Sequence, residues 1–184
     1  MKPIHSNIFL VGPMGAGKTT VGRQLAKRTG LRFIDSDHEI EDRAGVGIPL
    51  IFEIEGEAGF RGRESAMIDE LTQLDGIILA TGGGAVLNPD NRHRLHERGV
   101  VIYLRAPLDH LVARTARSNN RPLLNVDNPR QRLQAILQER DPLYCEVADL
   151  IVATEQQPVR KLVQSILHKL NALDTAKHNA DAKP

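Results

Sequence analysis

Short aliphatic runs alternate with segments of helical spacing along most of the chain. Residues 8–11, 32–35, 77–80, 100–104 and 150–152 read as strands of three to five residues. Their apolar residues are mostly consecutive rather than alternating, which marks strands covered on both faces. Helical patterns fill the intervals at 19–28, 57–73, 90–97, 107–116, 129–140 and 158–171. Val21 and Leu25 stand four apart in the first of these, and Gly30 lies where a C-terminal cap belongs. Asn128 before Pro129 reads as a cap followed by a first-turn proline. Strands interleaved with helices predict βαβ units. The fold class is therefore α/β: a three-layer arrangement with a five-stranded parallel sheet flanked by helices.

Two intervals break this alternation. About forty residues separate the second and third strands, more than one crossover helix needs, so 36–75 reads as a helical insert. The segment 117–128 is polar, contains Pro122 and resembles a mobile lid. From about 173 onward the chain is polar without an apolar period, which predicts a disordered tail over 173–184 after a single domain over 1–172.

Composition narrows the picture. A chain of 184 residues fits one domain, and 41% apolar residues with 3% aromatics and no Trp call for an aliphatic core. The net charge of +1 lacks the basic excess of non-specific nucleic-acid binders. A single cysteine, Cys145, excludes an intrachain disulfide framework and a cysteine-based zinc site. No apolar run has membrane-spanning length, and the first residues lack the apolar core and cleavage site of a signal peptide. The expectation is a cytoplasmic monomer that binds neither nucleic acid nor membrane.

The chemistry begins at Gly12-Pro13-Met14-Gly15-Ala16-Gly17-Lys18-Thr19, a complete G-x-x-x-x-G-K-[ST] motif between a strand and a helix. Glycines let successive backbone N–H groups face one anion, and the following helix adds its free donors and positive end. Lys18 supplies a point charge for the β- and γ-phosphates, and the Thr19 hydroxyl suits Mg²⁺. The loop implies a nucleoside triphosphate whose terminal phosphoryl group is moved. A GTPase would carry a base-reading N/T-K-x-D segment late in the chain. The region after the fifth strand, Ala153-Thr154-Glu155-Gln156-Gln157-Pro158, has none, so ATP is favoured.

Four features point to an acceptor. Asp35-Ser36-Asp37 ends the second strand, where open parallel sheets bind ligands. One carboxylate suits Mg²⁺ through water and the other an acceptor hydroxyl, while a helix N-cap explains the same residues blandly. Arg61 and Glu64, three apart, would share a helix face as a carboxylate-binding pair or as a surface ion pair. Thr81-Gly82-Gly83-Gly84 follows the third strand and permits close backbone approach to a ligand, more glycine than a turn requires. No acid ends that strand, which moves metal help to Asp35. Arg114, Arg117, Arg121 and Arg140 add positive charge; Arg121, beside Pro122, suits a lid over the phosphates, whereas Arg117 reads as solvated surface.

Together these motifs resemble the shikimate kinases over about 7–170. Gly-x-Met-Gly-Ala-Gly-Lys-Thr-Thr-Val-Gly, Asp-Ser-Asp, Ile-Phe-Glu, Phe-Arg-x-x-Glu, Thr-Gly-Gly-Gly, Arg-Pro-Leu-Leu and Arg-x-Pro-Leu-Tyr stand in that family's order. The resemblance implies a nucleoside monophosphate kinase-like fold and transfer from Mg·ATP to the 3-hydroxyl of shikimate, a step toward chorismate and the aromatic amino acids. It implies catalytic roles for Lys18, Asp37 and Arg121. ATP would meet Gly15, Ala16, Gly17, Lys18, Thr19, Thr20, Arg114 and Arg121, with Arg114 stacked on adenine. Shikimate would meet Asp37, Arg61, Gly82, Gly83, Gly84 and Arg140. Mg²⁺ would rest on Thr19 and, through water, Asp35. Two alternatives stay open: a kinase of another small hydroxy acid such as gluconate, and a non-catalytic nucleotide-binding regulator.

Overall fold

The aliphatic runs form strands β1 (Asn7–Val11), β2 (Arg32–Asp35), β3 (Ile77–Ala80), β4 (Gly99–Arg105) and β5 (Leu150–Ala153). All pair in parallel in the order β2-β3-β1-β4-β5. The central β1 places Ile8 opposite Ile78 on one side and Val100 on the other. The computed structural model describes residues 7–116, 122–124, 126–154 and 158–181.

Seven helices are present among these residues: α1 (Lys18–Thr29), α2 (Ser36–Ala44), α3 (Ile48–Leu71), α4 (Pro89–Arg98), α5 (Leu108–Thr115), α6 (Pro129–Val147) and α7 (Val159–Asp181). The period of two along β1 divides the core between the faces of the sheet. Ile8 and Leu10 pack with Leu25 of α1 and Ile166 of α7. Phe9 and Val11 pack with Ile68 of α3, Leu95 of α4 and Tyr144 of α6. Both layers are aliphatic apart from a few rings, among them Tyr103 and Tyr144 with centroids 4.9 Å apart.

The expected caps are in place. Gly30 closes α1 in a left-handed conformation, its N–H donating to the Ala26 carbonyl, and Asn128 caps α6 ahead of Pro129. The insert at 36–75 contains α2 and α3. Inside α3, Gly56 has φ 70° and ψ −179°, a conformation open essentially to glycine alone, and it divides the helix where the sequence pattern places a helix start.

Two helices run further than the pattern predicts. Helix α6 passes through Pro142 to Val147 instead of stopping near 140. The proline forfeits one backbone hydrogen bond, but full burial of Tyr144 and Val147 beyond it holds the last turns on the sheet. Helix α7 continues to Asp181 through most of the expected disordered tail. Its earlier turns are anchored by Ile166 and Leu170, and Ala172, Ala176, Lys177 and Ala180 are good helix formers that extend it.

Candidate active site

A cleft of about 510 Å³ opens at the carboxyl ends of β1, β2 and β3. Gly15, Gly17, Lys18, Thr19 and Thr20 line one part of it; Asp35, Asp37, Arg61, Gly82, Gly83, Gly84 and Arg140 line the rest, with Arg114 at the phosphate-loop side. Thus almost every residue singled out in the sequence meets in one place. Ala16 does not line the cleft: its methyl is buried in the core beneath the loop, and its N–H donates to the Pro13 carbonyl at 3.2 Å. Arg121 and most of the segment before it lie outside the described residues.

The phosphate loop is an anion cradle built by backbone shape. Gly15 and Gly17 hold φ of 82° and 96°, values that turn the chain tightly into the N-terminus of α1. Lys18 Nζ donates to the carbonyls of Gly12 and Pro13, at 2.7 and 3.0 Å, so the ammonium lies across its own loop. Arg114 Nη1 donates to the Gly15 carbonyl at 3.0 Å, which holds the guanidinium at the loop's outer lip.

At the end of β2 the bland and functional readings coexist. Asp35 caps α2, its Oδ1 accepting from the Asp37 N–H at 3.2 Å. Its other oxygen, Oδ2, accepts from the Thr19 hydroxyl at 2.7 Å. A hydroxyl and a carboxylate oxygen thus stand together beside the anion cradle. That set suits Mg²⁺, which takes few protein ligands, all hard oxygens, and fills the rest with phosphate and water.

The acceptor side is a nest of buried charge. Asp37 is pushed up to about 7 by burial first and then by the nearby carboxylates of Glu64 and Asp35, against a smaller pull from Lys18. Burial likewise raises Glu64 above its ordinary value, although Arg61 and Arg140 oppose the shift. Arg61 Nη1 donates to Glu64 Oε2 at 2.7 Å, the predicted pair three apart on α3. Arg140, on α6, is 3% exposed. Three buried side-chain atoms among the described residues have no hydrogen-bond partner: Asp37 Oδ1, Glu64 Oε1 and Arg140 Nε. Such orphans are costly in a finished core and ordinary in a site awaiting a ligand.

The glycines after β3 are required by space. A Cβ on Gly84 would collide with the Arg61 guanidinium, and one on Gly83 would stand 3.3 Å from the Met14 nitrogen of the phosphate loop. The loop is pinned from two sides. The buried Ser36 hydroxyl accepts from the Gly82 N–H at 3.0 Å, and the buried Tyr144 hydroxyl donates to the Gly83 carbonyl at 2.5 Å. Sequence reasoning gives Ser36 only a capping role and Tyr144 none in the site. Tyr144 lies four residues after Arg140, which would have placed the two on one face had α6 been read through Pro142. Glu57, which bonds Arg61 from four residues earlier, also receives no role, although both residues lie within the helix predicted over 57–73.

A family model described as shikimate kinase matches residues 14–171. The chain belongs to the shikimate kinase family. This makes it an ATP-dependent kinase, a phosphotransferase with an alcohol acceptor. A shikimate kinase from Nitrosococcus oceani is 59% identical over 167 residues, covering 91% of this chain and 88% of the relative. One from Halorhodospira halophila is also 59% identical, covering 90% of this chain and 93% of the relative. Among solved structures, the shikimate kinase from Acinetobacter baumannii in complex with shikimate is 53% identical, with a TM-score of 0.90 over 91% of this chain and 94% of that one. The gluconate-kinase and regulator readings are not favoured by these matches.

Proposed function

We propose that the chain transfers the γ-phosphoryl group of Mg·ATP to the 3-hydroxyl of shikimate, giving ADP and shikimate 3-phosphate, in the cytoplasm and as a monomer free of nucleic acid and membrane. One observation carries the acceptor assignment: Asp37 Oδ1, Glu64 Oε1 and Arg140 Nε lie buried and unpartnered in a single cleft that opens on the phosphate loop. A small carboxylic acid bearing hydroxyls supplies a counterpart for each. The bound acceptor named for the Acinetobacter baumannii relative supports the same choice.

Each residue then has work that follows from its position. Lys18 exchanges the Gly12 and Pro13 carbonyls for phosphate oxygens, which trades neutral acceptors for charged ones. Thr19 and Asp35 hold the cation side, which supplies neutralisation of the β- and γ-phosphates when Mg²⁺ is bound. Arg61 and Arg140 hold the acceptor's carboxylate, fixing the ring so that its hydroxyl faces the γ-phosphorus. Asp37, with a carboxyl near neutrality, binds that hydroxyl and takes its proton as the O–P bond forms. Gly82, Gly83 and Gly84 let the ring approach the backbone. Arg121 closes over the phosphates and excludes water, and Arg114 stacks on adenine. Catalysis comes mainly from positioning and charge stabilisation.

The test is ADP release coupled to a reporter reaction, run with shikimate, quinate and gluconate. Shikimate-dependent turnover well above the others is expected. ADP release indifferent to shikimate overturns the acceptor assignment.

A further inference from the structure

Arg61 is assigned above to the acceptor's carboxylate, yet one edge of its guanidinium is already occupied. Nε and Nη2 both donate to Glu57 Oε1, at 3.3 and 3.0 Å. These two N–H groups form one of the forks by which arginine binds a carboxylate bidentately. The remaining nitrogen, Nη1, is held by Glu64. The two carboxylates differ in setting. The Glu64 side chain is 2% exposed, whereas that of Glu57 is 49% exposed and lies toward solvent. The inner one anchors Arg61; the outer one forms a solvent-screened pair of the kind that is easily exchanged.

The backbone accounts for how Glu57 reaches this place. Gly56, directly before it, holds the glycine-only conformation that divides α3. A Cβ at Gly56 would meet nothing within 4 Å, so the conformation serves the path of the chain rather than relief of crowding. The break makes Glu57 the first residue of the second helical piece, one turn from Arg61.

We propose that Glu57 is a built-in competitor for the acceptor's carboxylate. It fills the outer fork of Arg61, and the acceptor binds by displacing it. An acceptor with a carboxylate recovers the lost ion pair on entry. A neutral polyol breaks the pair and gives nothing back, so the arrangement discriminates between them. The inference rests on the shikimate reading of the site.

Titration calorimetry with shikimate on the wild-type chain, Glu57→Gln and Glu55→Gln tests it. Glu55 is an acid on the same helix that pairs instead with Arg63, at 2.7 Å, and so controls for a general change of field. Glu57→Gln is expected to lower Kd for shikimate roughly two- to fivefold, the range of a screened ion pair, with KM falling alongside. Glu55→Gln is expected to leave Kd unchanged. Equal or weaker binding by Glu57→Gln would make Glu57 an orienting residue and overturn the proposal, as would the same gain in Glu55→Gln. Absence of shikimate binding and turnover in the wild-type chain would remove the acceptor assignment itself, an outcome distinct from either.

Discussion

Asp37 and Glu64 converge on Gly82, where a methyl group would stand 2.7 Å from Asp37 Oδ1 and 2.6 Å from Glu64 Oε1. Two buried carboxyls thus share the space vacated by a missing side chain. Gly82→Ala must displace one or both, and both line the cleft on the side proposed for the acceptor. Its KM for shikimate should rise about tenfold or more, because sub-ångström misplacement of positioning groups is costly. ATP affinity, set across the cleft at the phosphate loop, should change less than twofold. Separate binding isotherms for the two substrates check this.

Asp37 also links activity to pH. Its carboxyl titrates near 7 in the folded chain and near 4 in the unfolded one. A group raised in this way gives its full stabilisation below pH about 4 and loses it as pH climbs through about 7, where a buried charge must form. Asp37→Asn, which cannot ionise, should therefore melt about 5 °C above the wild-type chain at pH 8. The gap should close as pH falls to about 4. The same variant should lose shikimate turnover while keeping ATP binding. In the wild-type chain, the proposed role of Asp37 as base predicts that kcat/KM for shikimate declines on the acid side of about pH 7.

The strands, the phosphate loop and most of the cleft were legible in the chain because their signals are local. A run such as Ile77-Ile78-Leu79-Ala80 has one good fate, a strand buried on both faces. Arg61 and Glu64 declare themselves by spacing alone. The first half of α3 was harder, since Leu50 and Ile54 are exposed and blur any apolar stripe. The reach of α6 was hidden by Pro142, whose local cost is outweighed by tertiary burial that no local pattern records. Contacts such as Arg43 with Glu70, which tie α2 to α3, depend on how the insert folds and leave no trace in spacing.

Thr19 and Asp35 supply a test of the metal assignment. Thr19→Val removes the hydroxyl that stands 2.7 Å from Asp35 Oδ2 while keeping the branched shape. Half-maximal activity should require roughly tenfold more Mg²⁺. Stripping the cation with a chelator should abolish turnover in both forms and leave shikimate binding in place.

Tyr144 offers a separate check on the glycine loop. Tyr144→Phe deletes the donor to the Gly83 carbonyl, an acceptor at the part-buried edge of the cleft. The loss of about 1 kcal/mol should lower the melting temperature by about 2–4 °C. If the bond also aims the loop, KM for shikimate should rise more than KM for ATP. Equal effects on both would confine Tyr144 to stability.

The phosphate loop leaves β1, and the sheet neighbours of β1 among the described residues, β3 and β4, both follow it in the chain: Ile8 waits for Ile78 and Val100. During synthesis the nucleotide-binding motif is therefore made before the strands that support it. Helix α6, which carries Arg140, follows later still. A half-made chain cannot use nucleotide or acceptor to hold itself folded. Ligand-assisted protection against proteolysis belongs to the completed chain, and shortened products should be cleared even where substrate is abundant.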